Sequence, residues 1–464
     1  MEKPLIWNRC YPCLSINVLQ KLPAPRGKIM FLYNLHLAWL SIKRTPVLSA
    51  LMVSAIAIGI AICMTIITVY KLMANDPIPH KSNIIFTQTI DLRSASPDDD
   101  PNGPDHMSYQ DAQNLLKSDI PSKISVHYQT VAVIKSEDES VRPFRSRVRP
   151  VTADFFSLFE TPFLFGNQWT ADDEDSLQQV VVISRALNLR LFGGINSIGQ
   201  QIQVAGRFYK IVGVLDDWTP TPRFFELDGG AFSETEGAFI PFSLVPALEL
   251  RKSGGSTVCH ASETKEGWQG FLTDECTWLH MWVQLDTQEQ QEQWKEHLDN
   301  YVKQQKELGR FPRELNNRLH SVMQWLEFKR VVNNDYIMLL GLAFMFLGVC
   351  LFNTVGLMLS QSLRRRGEVS VRRALGGSKL TLFYQHMVEA SVIGLAGGAL
   401  GLVLAQAGLA GVRSLYRGFD LLTQMNWQLI AITFGLSILS SLLAGLLPTW
   451  RICQLAPAQY LKTQ

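Results

Sequence analysis

The chain has 464 residues, 43 lysines and arginines against 41 acidic side chains for a formal net charge of +2, and 47% hydrophobic residues. That balance holds no basic excess, so no nucleic-acid partner is expected. The average hides an uneven distribution, in which four uncharged apolar runs stand beside one long polar stretch, residues 71–330.

A soluble core helix rarely runs past ~18 residues without a charge, and a charge at the centre of a bilayer costs ~2.5–3.5 kcal/mol, so each uncharged run reads as a membrane span. Residues 1–30 precede the first of them. With Pro4, Pro12, Pro23 and Pro25 and no sustained period they read as a disordered leader, and Met30 opens a better helix, so the start is Met1 or Met30. Cys10 and Cys13 have metal or redox spacing, but one such pair without a second assigns no site. Residues 31–45 place Leu32, Leu35, Trp39 and Ile42 near one helical face, with Lys43 and Arg44 at the end. This pattern suits an interfacial helix on the cytoplasmic leaflet, in contact with membrane lipids; the alternative is an extension of the first span.

The first span covers residues 46–70, and the polar stretch 71–330 follows. Residues 91–103 and 251–266 are turn-rich and read as loops, whereas 180–183, 201–204 and 208–214 have the β-branched density of strands. Short helices are expected at 109–116, 153–158 and 184–192. From 287 to 327 the sequence turns helical and runs towards the second span, so a helical stalk is expected there. The second span, 335–361, has no charged side chain after Asp335. At ~1.5 Å per residue it covers a hydrocarbon core of ~30 Å. Residues 362–388 then carry Arg364, Arg365, Arg366, Arg372, Arg373 and Lys379, a cluster held on the cytoplasmic side. The third span, 389–412, and the fourth, 427–447, enclose a turn with Arg413 and Arg417 on the opposite side, two cations against the two larger clusters. A tail, 448–464, closes the chain. The expected class is therefore an α-helical integral membrane protein of the inner membrane. It has four transmembrane helices, a large mixed α/β extracytoplasmic domain between the first and second, and both termini in the cytoplasm.

The run Arg364-Arg365-Arg366-Gly367-Glu368-Val369-Ser370-Val371-Arg372-Arg373-Ala374-Leu375-Gly376-Gly377, then Glu389-Ala390 and a glycine-rich helix, resembles the C-terminal permease module of the MacB/FtsX type of ABC transporter. Ser370 stands for a usual glycine and Gly377 for a usual alanine. Pro448, Pro457 and Leu461 match the family's ending, whereas Trp450 and Cys453 depart from it. Val151-Thr152-Ala153-Asp154-Phe155-Phe156, Leu164-Phe165-Gly166, Val181-Val182-Ile183-Ser184, Leu191-Phe192-Gly193-Gly194, Ile198-Gly199-Gln200 and Ile211-Val212-Gly213-Val214-Leu215 resemble its periplasmic core domain in the same order. Asn167 takes a position where arginine is common.

The resemblance implies a dimer with a second permease copy or paralogue, and ATP hydrolysis inside coupled to motion of the outer domain. No G-x-x-x-x-G-K-[ST] occurs in the sequence, so the chain is expected to be no enzyme and to hold no cofactor. ATP and magnesium are expected on a separate ABC ATPase subunit, and a periplasmic membrane-fusion adaptor is a further expected partner. A short helix over 367–375 suits docking in a groove of that ATPase through Glu368, Arg372, Arg373, Ala374, Leu375 and Gly376. Glu368 also suits the positive end of the helix dipole, and the arginines also serve topology. Gly394 with Gly398 and Gly397 with Gly401 form small-xxx-small pairs for close helix packing. Glu389 sits at the membrane border, where pairing with a nearby arginine is expected.

Cys259 and Cys276 are the cysteines of the polar domain, and a disulfide between them is the leading reading; a metal site with His260 and His280 is the alternative, though the spacing matches no zinc pattern. The function expected is a permease that exports or extracts a peptide, antibiotic, toxin or lipoprotein. The alternative is an FtsX-like regulator that activates a periplasmic partner such as a cell-wall hydrolase without transport.

Overall fold

The computed structural model describes residues 27–91, 93, 105–138, 140–233, 235–253, 257–260, 265–332, 334–364, 366–376, 378–415 and 427–454. Residues 1–26 of the expected leader, with its CxxC pair, and the end of the tail lie outside the described residues, whereas 27–30, expected as disordered leader, are the first turn of the opening helix. The chain opens with helices α1 (Gly27–Arg44) and α2 (Pro46–Met73). Next come β1 (Ile85–Thr89), β2 (Met107–Ser108), α3 (Tyr109–Leu115), β3 (Lys123–His127), β4 (Thr130–Ser136), β5 (Phe144–Val151), α4 (Asp154–Leu158), β6 (Phe163–Gly166) and α5 (Ala171–Asp175). They lead into β7 (Val180–Ile183), α6 (Arg185–Phe192), β8 (Gln201–Val204), β9 (Arg207–Leu215), β10 (Ala238–Pro241), α7 (Val245–Leu248), β11 (Val258–Cys259), α8 (Gly267–Thr273) and β12 (Cys276–Gln284). The last elements are α9 (Gln288–Glu307), β13 (Arg318–Ser321), α10 (Val322–Phe328), α11 (Asn334–Arg364), α12 (Arg366–Ala374), α13 (Lys379–Leu415) and α14 (Trp427–Cys453). Two compact units result, one from residues 1–66, 339–410 and 425–464, the other from 67–338 with 411–424.

In the first unit, α2, α11, α13 and α14 are long and apolar enough to cross a membrane. Some hydroxyls within them are satisfied along their own helices: Thr354 Oγ1 donates to Cys350 O at 2.8 Å and Thr433 Oγ1 to Leu429 O at 2.8 Å. Cys63 and Cys350 are buried. Two boundaries differ from the sequence reading. α13 starts at Lys379, ten residues before the expected span, and α14 runs through Pro448 to Cys453 instead of stopping there. A membrane helix keeps an internal proline because each further broken turn would leave backbone groups without partners in lipid.

The second unit is mixed α/β. β10, β7, β9, β8, β4 and β5 form a ring that closes when β10 pairs in parallel with β5, at Ala238↔Val148 and Phe239↔Arg149. β3, β12, β1 and β13 continue as an antiparallel sheet joined to the ring through His127↔Val151. Strands buried on every side chain, such as Val180–Ile183 and Cys276–Gln284, are covered on both faces. One apolar core gathers Trp278, Trp294 and Leu298 between β12 and α9; another gathers Phe155, Phe159, Phe225 and Trp282.

The expected stalk over 287–327 is not continuous. α9 ends at Glu307, Gly309 turns the chain at φ +87°, and Arg318–Ser321 pairs with β1 before α10 begins. The helical propensity of that stretch yields to the open edge of β1, whose backbone groups need partners.

Candidate functional site

Residues 362–388 form the end of α11, the short helix α12 and the first ten residues of α13. α12 closes through the amide of Leu375 on Val371 O at 3.0 Å, and Gly376 then takes φ +97°, a left-handed value that glycine adopts without strain. Ser378 caps α13, accepting from Thr381 N at 3.1 Å. The inward face of α12 is Val369, 8% exposed, packed on Leu382 and Phe383 of α13. Leu375 and Leu380 stand 83% and 79% exposed on either side of the turn. Arg373 is half-buried and engaged, and Ala374 is exposed. The side chains of Glu368 and Arg372 lie outside the described residues, as does Gly377.

The four glycines of α13 serve two different neighbours. A Cβ at Gly398 would lie 2.9 Å from Ser437 Cβ, and one at Gly394 2.9 Å from Ser437 O, both on α14. A Cβ at Gly397 would meet Ile56 Cγ2 at 2.8 Å, and one at Gly401 would meet Ala57 O at 3.1 Å, both on α2. Glycine thus lets α13 approach two spans at backbone distance.

In the α/β domain Cys259 and Cys276 are disulfide-bonded and occupy opposed positions of β11 and β12. Their sulfurs are therefore no metal ligands, and His260 and His280 go to different neighbours: His260 lies 3.5 Å from Thr277 Oγ1, whereas His280 joins a buried ion network.

That network was not singled out from the sequence. Arg149 of β5, fully buried, reaches Glu236 at 2.5 Å and Glu226 at 3.2 Å, and Arg223 also binds Glu236. His280 Nε2 of β12 lies 3.3 Å from Glu226 Oε1 and 3.6 Å from Asp228 Oδ2. His106 Nε2 lies 2.8 Å from Asp228 Oδ2, and Lys252 Nζ lies 2.5 Å from the same oxygen. His106, Asp228 and His280 have the geometry of a metal-ligand set, but the Lys252 ammonium already fills the cation position beside Asp228 and His106. The network lies across the junction of ring and sheet, where His127 Nε2 is 3.1 Å from Phe225 O. Burial opposes the charged imidazole of His280, yet Glu226 and Asp228 raise its pKa to about 9. Burial first, then the charges of Arg149 and His280, pushes His127 well below the ordinary histidine range. One signal was available, His280 set in the largely apolar strand β12, but it names no partners.

Four apolar spans with a large α/β domain inserted after the first define a multi-pass membrane protein of the permease class. A family model described as the MacB-like periplasmic core domain matches residues 49–301, and one described as the FtsX-like permease C-terminal domain matches residues 340–457. The chain belongs to this family of MacB-like, FtsX-like ABC transporter permeases. It is 25% identical over 320 residues to the uncharacterized ABC transporter permease YvrN of Bacillus subtilis, covering 68% of this chain and 70% of that protein. It is 22% identical over 439 residues to the macrolide export ATP-binding/permease protein MacB of Wolinella succinogenes, covering 93% of this chain and 60% of that one. The pyoverdine export ATP-binding/permease protein PvdT of Pseudomonas aeruginosa is 23% identical, over 67% of this chain and 41% of its own length. Among solved structures, the periplasmic region of MacB from Actinobacillus actinomycetemcomitans aligns with 56% of this chain and 98% of its own, at 13% identity and a TM-score of 0.36.

Proposed function

We propose that this chain is the permease subunit of an ABC transporter in the inner membrane, with both termini in the cytoplasm. A separate ATPase hydrolyses ATP, and the movement passes through α12 and the spans to the outer α/β domain, driving export or extraction of a peptide, antibiotic, toxin or lipoprotein. The observation that carries the reading is the pairing of an FtsX-like C-terminal module with a MacB-like domain in one chain, supported by similarity to relatives named for macrolide and pyoverdine export. The family resemblance adds a second permease copy and an adaptor as partners. α12 suits the docking role because it is fixed to α13 through Val369 and Leu382 while Leu375 and Leu380 remain exposed.

The test is to purify the full chain from membranes of its host and identify the chains that accompany it. An ATPase bearing a Walker A motif is expected. The double variant Arg372→Glu, Arg373→Glu reverses two charges at the docking face, where loss of an ionic partner costs ~2–5 kcal/mol, and should abolish that co-purification with insertion unchanged. Association and transport at wild-type levels would overturn the docking role. A cell-wall hydrolase in place of an adaptor, with no transported substrate, would favour the regulatory alternative.

A further inference from the structure

Glu389 of α13 is 8% exposed within a membrane-spanning helix. Ser41 of α1 donates its hydroxyl to Glu389 Oε1, and Gln361 of α11 donates from Nε2 to the same oxygen at 3.4 Å. Gln361 also donates to Oγ1 of Thr45, the residue between α1 and α2, at 3.0 Å. His386, one turn earlier on α13, holds Nδ1 3.5 Å from Glu389 Oε2. Ser41 and Gln361 are themselves buried, at 8% and 6% exposure. A cavity of about 30 Å³, the room of a water molecule, adjoins this point and is lined by Gln361, His386, Glu389, Gly445 and Thr449, so α14 borders it too.

A carboxylate in this place is costly, because removal from water penalises charge and an apolar side chain would pack without that penalty. What it adds is direction. The glycine contacts of α13 with α2 and α14 are made by shape, whereas Glu389 accepts bonds from α1 and α11, and such bonds hold two helices at a fixed register. Its position along α13 matters as well. α12 packs on Leu382, and Glu389 lies two turns further on, so a displacement of α12 travels along one rigid helix to the point where α1 and α11 are attached.

We propose that Glu389 is a positioning residue that ties α1 and α11 to α13, so that these helices answer a push on α12 as one body. The proposal rests on the permease reading above for the origin of that push. It adds a junction of three helices to the pairing expected at this residue.

The experiment uses the full chain in lipid nanodiscs, with and without the ATPase that co-purifies with it, carrying a nitroxide pair at Tyr33 of α1 and Tyr384 of α13, 60% and 45% exposed. In the otherwise unaltered chain the pair should keep one narrow distance, nucleotide-free and with ATP. Glu389→Ala should broaden the distribution and lower permease-dependent stimulation of ATP hydrolysis about tenfold, with the ATPase still bound. Glu389→Gln should stay within about twofold of wild type, since its amide oxygen still accepts from Ser41 and Gln361. Ser41→Ala, outside the spans, should give a smaller loss and add nothing to Glu389→Ala. An unbroadened distance in Glu389→Ala overturns the proposal, as does one in Ser41→Ala should the former fail to fold. A Gln variant as defective as the Ala variant also overturns it, assigning the effect to charge. If no ATPase accompanies the unaltered chain, the permease reading fails, while the nitroxide distances still decide whether the tie exists.

Discussion

His280 and His127 are neighbouring rings, 5.7 Å apart, whose pKa values are driven in opposite directions, and the pH dependence of the α/β domain follows from that opposition. For His280 the folded pKa of about 9 exceeds the ordinary 6.5, so its contribution is complete below about 6.5 and is lost as pH rises through about 9. The shift corresponds to roughly 3 kcal/mol. His127 is buried neutral, so folding must hold off its proton and stability falls as pH drops below 6.5. Glu226, held below the ordinary carboxylate range by His280 and Arg149 against the effect of burial, steepens the loss in acid. Urea midpoints of the full chain should therefore peak near pH 6.5, His280→Gln should flatten the alkaline side, and His127→Gln should lessen the acid loss. Stability that rises from pH 6.5 to 9 in the unaltered chain would contradict this account. The partners were not legible in the sequence, because Arg149, Glu226 and His280 are brought together by the closure of β5 on β10 and of β3 on β12. The glutamates and Asp228 come from the connection between β9 and β10, which has no period to read.

Single helices and strands were legible where one force dominates. The uncharged runs became α2, α11, α13 and α14, since charge is excluded from lipid whatever the neighbours are. The strand expected over 180–183 coincides with β7, whose four side chains are all buried. The stretch 318–321 misled because β1 recruits it as an edge partner, a contact with residues 86–89 that local propensity cannot contain. The glycines of α13 lie between these cases: their spacing announces close packing, but only the structure assigns Gly394 and Gly398 to α14 and Gly397 and Gly401 to α2. Gly398→Leu should accordingly cost ~1–3 kcal/mol by overpacking against Ser437. Gly435→Leu, at a position with no neighbour within 4 Å of an added Cβ, should cost less than ~0.5 kcal/mol. Thermal unfolding of both variants in detergent checks the contrast, and equal losses would show that α13 and α14 do not meet at Gly398.

At the scale of the whole molecule the open question is which side of the membrane each unit occupies, and two independent signals point the same way. Six cations, Arg364, Arg365, Arg366, Arg372, Arg373 and Lys379, lie in and beside α12, against Arg413 and Arg417 near the turn before the last span, so the α12 side is expected in the cytoplasm. The disulfide Cys259–Cys276 belongs to the other unit, and such a bond persists in an oxidising compartment and is reduced in the cytosol. Cysteine labelling in intact cells separates the two arrangements, in a chain from which Cys10, Cys13 and Cys453 have been removed. Leu177 of the α/β domain is 55% exposed and Leu375 after α12 is 83% exposed, so each accepts a cysteine without loss of packing. A membrane-impermeant maleimide should label Leu177→Cys in intact cells and Leu375→Cys only after the membrane is opened. The reverse pattern would place α12 outside, beyond reach of any cytoplasmic ATPase, and would end the permease mechanism along with the topology. Labelling of both in intact cells would mean that the second span does not cross, which the 30-residue apolar helix Asp335–Arg364 argues against on length alone.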